Sequence, residues 1–226
     1  AMIGRAFCIL GKRNCDMAED HQSWKARAVF QGNNIRTKTG ADPADLFREV
    51  ANAPASFVAS RAALATAALR QLRVSFRDAK QAFLQSARGK QFTPTWAELP
   101  KSWWPDSWYF DGKCRQRPRY NRPLVLMILC LYGHPESGAI WENDLDQTLK
   151  QHGFKKVSMW PGVYCHSVDF SIFIVYVDDL MLAASIEMTL KHWRSLEKFI
   201  EFKDEEASID RYLGAYHRLQ EYDPKK

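Results

Sequence analysis

The sequence predicts an α+β fold in which an antiparallel sheet is backed by helices. Short segments of alternating apolar and polar residues recur along the chain, and longer segments with the helical spacing of apolar residues separate them. Apolar residues make up 46% of the 226 residues and include eight tryptophans, which is enough to fill a core. At this length we expect one compact unit with a subdomain.

Composition excludes several classes of protein. Five cysteines are scattered and odd in number, so neither a disulfide framework nor a zinc-binding cysteine pattern is visible, and we expect a reduced, intracellular protein. The longest apolar runs, residues 124–132 and 170–177, are shorter than the roughly 20 residues of a membrane-spanning helix. No secretion signal is visible at the start of the sequence, and the abrupt start indicates a piece of a longer reading frame. A net charge of +6 suits a polyanionic partner.

The first elements predict a β-hairpin followed by a loop. Residues 3–10 and 23–31 have strand patterns on either side of a polar turn. In the second strand one predicted packed face comprises Trp24, Ala26, Ala28 and Phe30. Lys25 and Arg27 share the opposite face, because side chains alternate along a strand, and there the two cations can act on one ligand. The polar segment 32–45 predicts a mobile link between subdomains.

A buried helix and a strand are predicted next. From residue 54 to about residue 71 the chain is Ala-rich, and the predicted apolar face contains Phe57, Leu64, Ala68 and Leu72. Residues 72–78 alternate again, and the row Leu72, Val74, Phe76 is continued by Asp78, so that a carboxylate takes a direction that otherwise faces the core. A short helix is predicted over 80–87 and an irregular segment over 91–122.

The second half predicts two further helices and a second hairpin. Residues 124–132 predict a strand or the lead-in to a helix over 137–152 that buries Trp141, Leu145 and Leu149, and Gly153 ends that helix. Strands over 162–168, 170–177 and 180–184 carry Asp178 and Asp179 at a hairpin tip. A helix over 186–200 follows, capped by Ser185, with an apolar side of Ile186, Leu190, Trp193, Phe199 and Ile200. Residues 211–219 predict one more strand.

The aspartates are the most informative side chains. Two adjacent carboxylates among apolar strands repel each other and resist desolvation unless a cation compensates them. With Asp78 they could supply hard oxygen ligands for one or two magnesium ions, an arrangement used for phosphoryl transfer. The alternatives stay open at this point: an Asp-Asp pair also fits an ordinary hairpin turn, and Asp78 also fits a helix N-cap.

An ordered set of segments resembles the reverse transcriptases of copia-type long-terminal-repeat retrotransposons. Residues 176–179 (Tyr-Val-Asp-Asp) match the catalytic tetrad of that family, and residues 77–84 (Arg-Asp-Ala-Lys-Gln-Ala-Phe-Leu) resemble its first palm motif. The remaining segments are similar in the same order along the chain: 24–32, Glu98 to Pro100 with Trp103, 131–133 with Trp141, Gly153-Phe154, Pro161 with Tyr164, and 212–214 (Tyr-Leu-Gly).

The resemblance implies an RNA-directed DNA polymerase with two magnesium ions, for which manganese could substitute. Asp78, Asp178 and Asp179 would be the catalytic, metal-binding acids, with Asp179 supporting the other two. The nucleotide-binding residues would be Lys25, Arg27, Phe83, Tyr132 and Gly133. Lys25 and Arg27 would hold the triphosphate and Phe83 would exclude a ribose 2′-hydroxyl, whereas Lys12 is a further candidate for a phosphate contact. Tyr212, Leu213 and Gly214 would contact the primer.

The resemblance also implies partners and a domain plan. We expect a fingers hairpin and loop over 1–50, a palm over 51–220 with a fingers-like excursion over about 91–135, a tail over 221–226, and a thumb that is missing or truncated. Template-primer of RNA or DNA and deoxynucleoside triphosphates would be partners, together with integrase and ribonuclease H domains of a polyprotein active in DNA integration. Cytoplasm and virus-like particles with access to the nucleus are the expected locations, with no membrane partner.

The sequence departs from the family pattern at two places. His134, Pro135 and Glu136 stand where the family has Leu-Lys-Gln, so a cation expected to meet the template is missing, and a second is missing further along the same segment. Arg77 next to Asp78 is unusual and is expected to pair with it when no metal is bound. Two alternatives remain: a catalytically inactive nucleic-acid-binding remnant, and a metal-dependent nuclease, which is disfavoured because no histidine lies beside Asp78 or Asp178 in the sequence.

Overall fold

A computed structural model of the chain describes residues 1–37, 54–208, 211–212 and 215–216. The chain divides into two compact units. One is formed by Ala1–Ala51 with Phe83–Trp141, and the other by Asn52–Ala82 with Glu142–Lys226. The described residues contain three α-helices and two larger sheets, so the predicted α+β class is confirmed.

The first unit is built on a five-stranded sheet. Its strands are β1 (Met2–Arg13), β2 (Ser23–Phe30), β3 (Arg36–Thr37), β5 (Thr95–Glu98) and β6 (Leu124–Leu126). The order is β2-β1-β5-β6, with β3 also paired to β1, and only the β1–β5 pair is parallel. The predicted irregular segment therefore contributes strand β5, whose four residues are too few for a clear periodic pattern. Short 3₁₀ turns occupy much of the rest of it.

The hairpin of β1 and β2 forms as predicted, but its packing differs from the prediction. Ala6 pairs with Phe30 and Lys12 with Trp24, so the two strands stay paired along most of β2. Phe30 is 1% exposed, whereas Trp24 is 68% exposed and Ala26 and Ala28 are also exposed. The alternation was read correctly, but the prediction of a packed face was wrong because only the end of β2 near Phe30 lies over the core of this unit.

The second unit is built on a six-stranded antiparallel sheet. Its order is β11-β4-β10-β9-β8-β7. The strands are β4 (Arg73–Asp78), β7 (Phe154–Lys156), β8 (Val163–His166), β9 (Ile172–Tyr176), β10 (Asp179–Ala184) and β11 (Ala207–Ser208). Strands β9 and β10 form the predicted hairpin around Val177 and Asp178. Strands β12 (Arg211–Tyr212) and β13 (Ala215–Tyr216) pair with each other in the region where one strand was predicted.

Helix α1 (Phe57–Leu69) packs on this sheet through its smallest side chains. The Ser56 hydroxyl accepts a hydrogen bond from the Ala59 N–H and caps the helix. Its buried residues are Ala59, Ser60, Ala63 and Ala67, whereas Phe57 is 52% exposed. The predicted apolar face was therefore wrong for Phe57 and Ala68, which are exposed, whereas Leu64 is half-buried against the core as predicted. Alanine and serine let the helix backbone approach the sheet more closely than a row of large side chains would.

Helix α2 (Ser137–Gln151) matches the predicted bounds to within one residue, whereas α3 (Ile186–Leu196) begins as predicted but ends four residues before the predicted end at 200. Trp141, Leu145 and Leu149 of α2 are buried, and Gly153, with φ of 85°, follows its end in the left-handed conformation that favours glycine. The Ser185 hydroxyl caps α3. In α3, however, Ile186 and Leu190 are exposed.

The residues buried in α3 are Thr189, His192, Trp193 and Leu196. The periodicity placed Trp193 correctly and overlooked His192, because a histidine carries no apolar signal. In the region beyond the helix Ile200 is buried and Phe199 is exposed.

No α-helix in the described parts of the chain combines the length and the apolar character that crossing a membrane requires.

Candidate functional site

Two of the predicted acids face each other across neighbouring strands. Asp78 is the last residue of β4 and Asp179 is the first residue of β10, and the register of the β4–β10 pair places them directly opposite. The Ala79 N–H donates to the Asp178 carbonyl oxygen at 2.8 Å, which continues the pairing into the turn. Paired residues of adjacent antiparallel strands have Cα atoms about 4.5–5.5 Å apart, so the structure brings Asp78 and Asp179 together.

Asp178 lies in the turn that joins β9 to β10. Tyr176 and Asp179 are the last pair of that hairpin, which leaves Val177 and Asp178 as its two turn residues. Val177 has φ of 57°, a left-handed conformation that a β-branched residue adopts only under strain of about 1–3 kcal/mol. Strained backbone of this kind concentrates at functional sites. The tight turn keeps Asp178 within one residue of the Asp78–Asp179 pair.

The electrostatics of the three acids record an excess of negative charge. Burial, a hydrogen bond with Asp78 and the charges of Asp78 and Asp178 together raise the pKa of Asp179 to about 7. A proton shared between Asp179 and Asp78 relieves the repulsion when no cation is bound. Carboxylate oxygens are the ligands that Mg²⁺ prefers, and a divalent cation would take the place of that proton. The residues present therefore fit a magnesium site held by Asp78, Asp178 and Asp179.

Lys203 is a charged neighbour of this site that the sequence analysis overlooked. The Lys203 Nζ lies 3.8 Å from Asp78 Oδ2 and 2.8 Å from Asp204 Oδ2. The backbone N–H of Lys203 donates to the Asp78 carbonyl oxygen at 2.9 Å. A bridge between Ala79 and Phe202 holds this segment beside the end of β4. Ile200 and Phe202 alternate with charged residues, so a strand-like pattern was present but too short to identify.

Arg77 does not take the role expected of it. Its Nη1 donates to Glu197 Oε1 at 2.5 Å, and its Nε and Nη2 donate to the Asp204 carbonyl oxygen at 3.1 and 3.0 Å. The guanidinium also lies 4.1 Å from the centre of the Phe202 ring. Adjacent strand residues point to opposite faces of a sheet, and for this reason the expected pairing of Arg77 with Asp78 was wrong.

The predicted triphosphate-binding cations lie on β2 in the first unit. Lys25 pairs with Gly11 and Arg27 with Ile9, so both side chains project from the same face of the hairpin. Arg27 is exposed and Lys25 is half-buried. In the same hairpin Lys12 pairs with Trp24, and its Nζ lies 5.8 Å from the centre of the Trp24 ring. Lys12 therefore belongs to the opposite face of the hairpin from Lys25 and Arg27.

Three other predicted nucleotide-binding residues come together in the same unit. The rings of Phe83 and Tyr132 are in contact, with centroids 4.6 Å apart and ring planes tilted by 41°. Phe83 belongs to the 3₁₀ turn Ala82–Gln85, and Tyr132 precedes Gly133, which has φ of 84°. The Tyr132 carbonyl oxygen accepts a hydrogen bond from the Phe30 N–H at 2.7 Å. Phe83, Tyr132 and Gly133 therefore form one cluster at the end of β2.

Glycines permit the close approach of β2 to this cluster. A Cβ atom on Gly32 would lie 2.0 Å from the Gly133 carbonyl oxygen, and a Cβ on Gly133 would lie 2.2 Å from the Phe30 carbonyl oxygen. Any larger residue at either position would push the two segments apart. The two glycines thus fix the strand that carries Lys25 and Arg27 against the segment that carries Tyr132.

Residues 134–136, which depart from the family pattern, take part in a buried polar network. His134 Nδ1 accepts from Arg88 Nη1 at 3.1 Å and from the Glu136 N–H at 3.2 Å, while its Nε2 contacts Thr95 Oγ1 at 3.1 Å. Arg88 also donates to Glu136 Oε2 at 2.7 Å. Burial, assisted by the Arg88 charge, lowers the pKa of His134 to about 3, so the ring is neutral with its proton on Nε2. This network anchors the segment that follows Gly133.

The predicted primer contacts are described only in part. Tyr212 lies in strand β12, where Arg211 pairs with Tyr216 and Tyr212 with Ala215. Leu213 and Gly214, between the two strands of that hairpin, lie outside the described residues.

A comparison with protein families finds a match over the second half of the chain. Residues 117–221 match the family model described as reverse transcriptase (RNA-dependent DNA polymerase). The matched span is slightly less than half of the chain and contains the Leu-Tyr-Gly segment at 131–133 and the Tyr-Val-Asp-Asp turn at 176–179. Asp78 and Phe83 precede it. Over residues 117–221 the chain is similar to the reverse transcriptase family.

Proposed function

We propose that the chain is the RNA-directed DNA polymerase part of a copia-type retrotransposon polyprotein. The observation that carries the proposal is the meeting of Asp78 and Asp179 across two antiparallel strands, with Asp178 in the adjoining turn. The family match over residues 117–221 supports it, because that span contains the turn with both Asp178 and Asp179. In this proposal the six-stranded sheet is the palm and the β1–β2 hairpin belongs to the fingers.

The reaction is the attack of a primer 3′-hydroxyl on the α-phosphate of a deoxynucleoside triphosphate, with release of pyrophosphate. Asp78, Asp178 and Asp179 would hold two magnesium ions, which when bound supply activation of the hydroxyl and neutralisation of the leaving group. The raised pKa of Asp179 supports this role, since a site with uncompensated negative charge favours divalent cations.

The remaining side chains bind and select the nucleotide. Lys25 and Arg27 would hold the triphosphate, where the fork of the Arg27 guanidinium suits two phosphate oxygens. Phe83 would exclude a ribose 2′-hydroxyl by steric contact, and its contact with Tyr132 gives it a defined position. Tyr132 and Gly133 would form the floor of the nucleotide site, and Tyr212, Leu213 and Gly214 would contact the primer.

Template-primer and deoxynucleoside triphosphates are the substrates in this proposal. Integrase and ribonuclease H domains of the same polyprotein are its expected partners, and virus-like particles in the cytoplasm its expected location. The basic surplus of the chain suits the phosphate backbone of the template-primer.

The test is the fate of an end-labelled DNA primer annealed to an RNA template, with all four deoxynucleoside triphosphates and Mg²⁺ or Mn²⁺. The proposal predicts primers longer than the input, on RNA and on DNA templates. A primer that is bound and unchanged would instead indicate an inactive nucleic-acid-binding remnant. Shortened primers would indicate a nuclease using the same acids, and either result would overturn the proposal.

A further inference from the structure

A second cluster of metal-binding atoms lies at the other end of strand β9 from the aspartates. His166 ends β8, Asp169 lies in the turn between β8 and β9, and His192 lies on α3. The following strand, β9, separates this turn from the Val177–Asp178 turn by about 20 Å, at roughly 3.3 Å per residue. The cluster is therefore distinct from the proposed catalytic site.

The three side chains converge on one carboxylate oxygen. Asp169 Oδ2 lies 3.0 Å from His166 Nδ1 and 3.0 Å from His192 Nε2. The three potential ligand atoms all lie within 4.8 Å of one another. In a tetrahedral zinc site with bonds of about 2.0–2.1 Å, ligand atoms are about 3.3 Å apart. The two Asp169–histidine distances are therefore within a few tenths of an ångström of that spacing, and the two histidine nitrogens, at most 4.8 Å apart, need to approach each other by no more than about 1.5 Å to hold one cation.

The cluster is held in place by contacts outside the three ligand atoms. The Ser171 N–H donates to the other oxygen of Asp169, Oδ1, at 2.9 Å, which turns Oδ2 toward the histidines. The His166 N–H donates to the Ser171 carbonyl oxygen at 2.8 Å, and Phe170 closes the turn with φ of 57°. Such outer contacts orient the ligands of known metal sites and tune their affinity.

An apolar ring packs against both imidazoles. The Phe154 centroid lies 5.0 Å from that of His166 and 4.9 Å from that of His192. Gly153 makes room for the first of these rings, since a Cβ there would lie 2.6 Å from His166 Nε2. The side chain of His192 is 6% exposed, whereas those of His166 and Asp169 are 13% and 18% exposed. One edge of the cluster therefore reaches solvent, where an ion can enter and a water molecule can complete the coordination.

The ionisation of the cluster suits a cation. Burial lowers the pKa of His192, so its ring is neutral at neutral pH, which is the form that binds metals. Burial raises the pKa of Asp169, but hydrogen bonds from Ser171 and the nearby histidines lower it by more, and the carboxylate is ionised. Two imidazole nitrogens and one carboxylate oxygen are ligands typical of zinc and of other divalent transition metals, and are unsuited to magnesium.

We propose that His166, Asp169 and His192 form a binding site for Zn²⁺, with a water molecule as the fourth ligand. The ion joins α3 to the β8–β9 turn and so fastens the helix to the sheet that carries the aspartates. Its effect is on the stability of the second unit, because the site lies at the far end of β9 from the proposed chemistry. The competing explanation is a carboxylate that only accepts hydrogen bonds from two imidazoles, a contact that needs no metal.

The test is calorimetric titration of the full chain with ZnCl₂, in excess Mg²⁺ so that the aspartates are not the site that responds. We expect one site, and we expect His192→Gln and His166→Asn each to weaken Zn²⁺ binding by about 10-fold or more. Gln and Asn retain hydrogen-bonding groups, and His166 is partly exposed, so at least the second variant should keep the fold. His21→Gln, an exposed histidine in the first unit, is the matched control and should bind as the wild type does.

Two further measurements make the outcome decisive. Co²⁺ bound in place of Zn²⁺ should give the visible absorption of a tetrahedral site in the wild type and in His21→Gln, and should lose it in His166→Asn. Zn²⁺ should raise the thermal midpoint of the same two proteins and leave that of His166→Asn unchanged. Equal Zn²⁺ binding by all variants, or a loss confined to His21→Gln, would assign the ion to exposed cysteines and His21 and would overturn the proposal. So would a wild type that binds no Zn²⁺.

Discussion

Asp179 holds a carboxyl group where burial and neighbouring acids disfavour its charged form. Burial, together with the charges of Asp78 across the sheet and of Asp178 next to it in the chain, raises the pKa of Asp179 to about 7. An acid whose pKa is higher in the folded chain than in the unfolded chain binds a proton on folding between the two values. Its contribution to stability is therefore largest below about pH 4 and is lost as the pH rises toward 7.

Because the pKa of Asp179 is raised in the folded chain, removing its charge should stabilise the protein at high pH. Asp179→Asn should raise the free energy of unfolding in EDTA at pH 8 by about 1 kcal/mol or more, and the gain should shrink as the pH falls toward 4. Urea denaturation at several pH values measures it. Asp144→Asn, the same change at an exposed position of helix α2, is the matched control and should show no such trend. A destabilised Asp179→Asn at pH 8 would show that the carboxylate does not carry this repulsion.

Phe83 is the residue proposed to select the sugar of the nucleotide. Its ring contacts Tyr132, and a valine in its place would leave space beside the sugar of a bound nucleotide. Phe83→Val should lower the preference for dCTP over CTP by about 10-fold or more, measured as the ratio of the two kcat/KM values. Phe110→Val, which shortens an exposed aromatic of the same unit, should keep the wild-type ratio. Unchanged discrimination by Phe83→Val would remove Phe83 from this role.

At the scale of elements, the segment after Gly133 depends on a neutral buried histidine. The pKa of His134 is lowered to about 3 by burial and by Arg88, so on acidification the unfolded chain takes up a proton, below about pH 6.5, that the folded chain refuses. Stability from this group is present at neutral pH and declines between about pH 6.5 and 3. This slope is opposite to that of Asp179, and the two partly cancel in the wild type.

Replacing the ring separates the two contributions. His134→Gln should lower the free energy of unfolding of the first unit by about 1–3 kcal/mol at pH 7.5, because Arg88, Thr95 and the Glu136 N–H lose a well-placed partner. The difference from wild type should shrink at pH 5, where the wild type has already lost part of this stability. His21→Gln serves as the exposed control. A difference that stays constant from pH 7.5 to pH 5 would contradict the buried neutral ring.

Elements were predicted well where several physical signals agreed. Helix α2 combined 3.6-residue periodicity, a glycine at its end and three large apolar residues, and all three are buried. For helix α1 the sequence predicted a helix but not which face is buried. Alanines lie on all sides of this helix, and packing on the sheet decides which of them are buried. In the same way His192 faces inward because of Asp169 and Phe154, and these partners are distant in the sequence.

In the candidate site, too, residues in local sequence patterns were predicted and residues placed by distant contacts were not. The resemblance to family motifs indicated Asp78, Asp178 and Asp179 as candidates, and strand alternation predicted the direction of the Asp78 side chain. Lys203 and the true partners of Arg77 could not be predicted, since they depend on the segment after α3 returning along the end of β4. Contacts between parts of the chain more than 100 residues apart leave no periodic signal.

At the scale of the whole molecule, charge favours a polyanionic partner. Lysine and arginine exceed aspartate and glutamate to give a net charge of +6. Binding of a template-primer duplex, followed by fluorescence anisotropy, should weaken by about 10-fold or more between 50 and 200 mM KCl because neutralised phosphates release counterions. The logarithm of Kd should vary linearly with the logarithm of salt concentration. An affinity that does not respond to salt would exclude backbone phosphates as the main contact.

Incorporation of a single nucleotide on an RNA template by aspartate variants tests whether Asp78 and Asp178 act together in one metal-dependent centre. Asp78→Asn and Asp178→Asn should each lower the rate by about 10²–10³-fold or more while melting no earlier than the wild type, and Asp144→Asn should extend at the wild-type rate. Extension by either of the first two variants within a few-fold of the wild type would contradict the account.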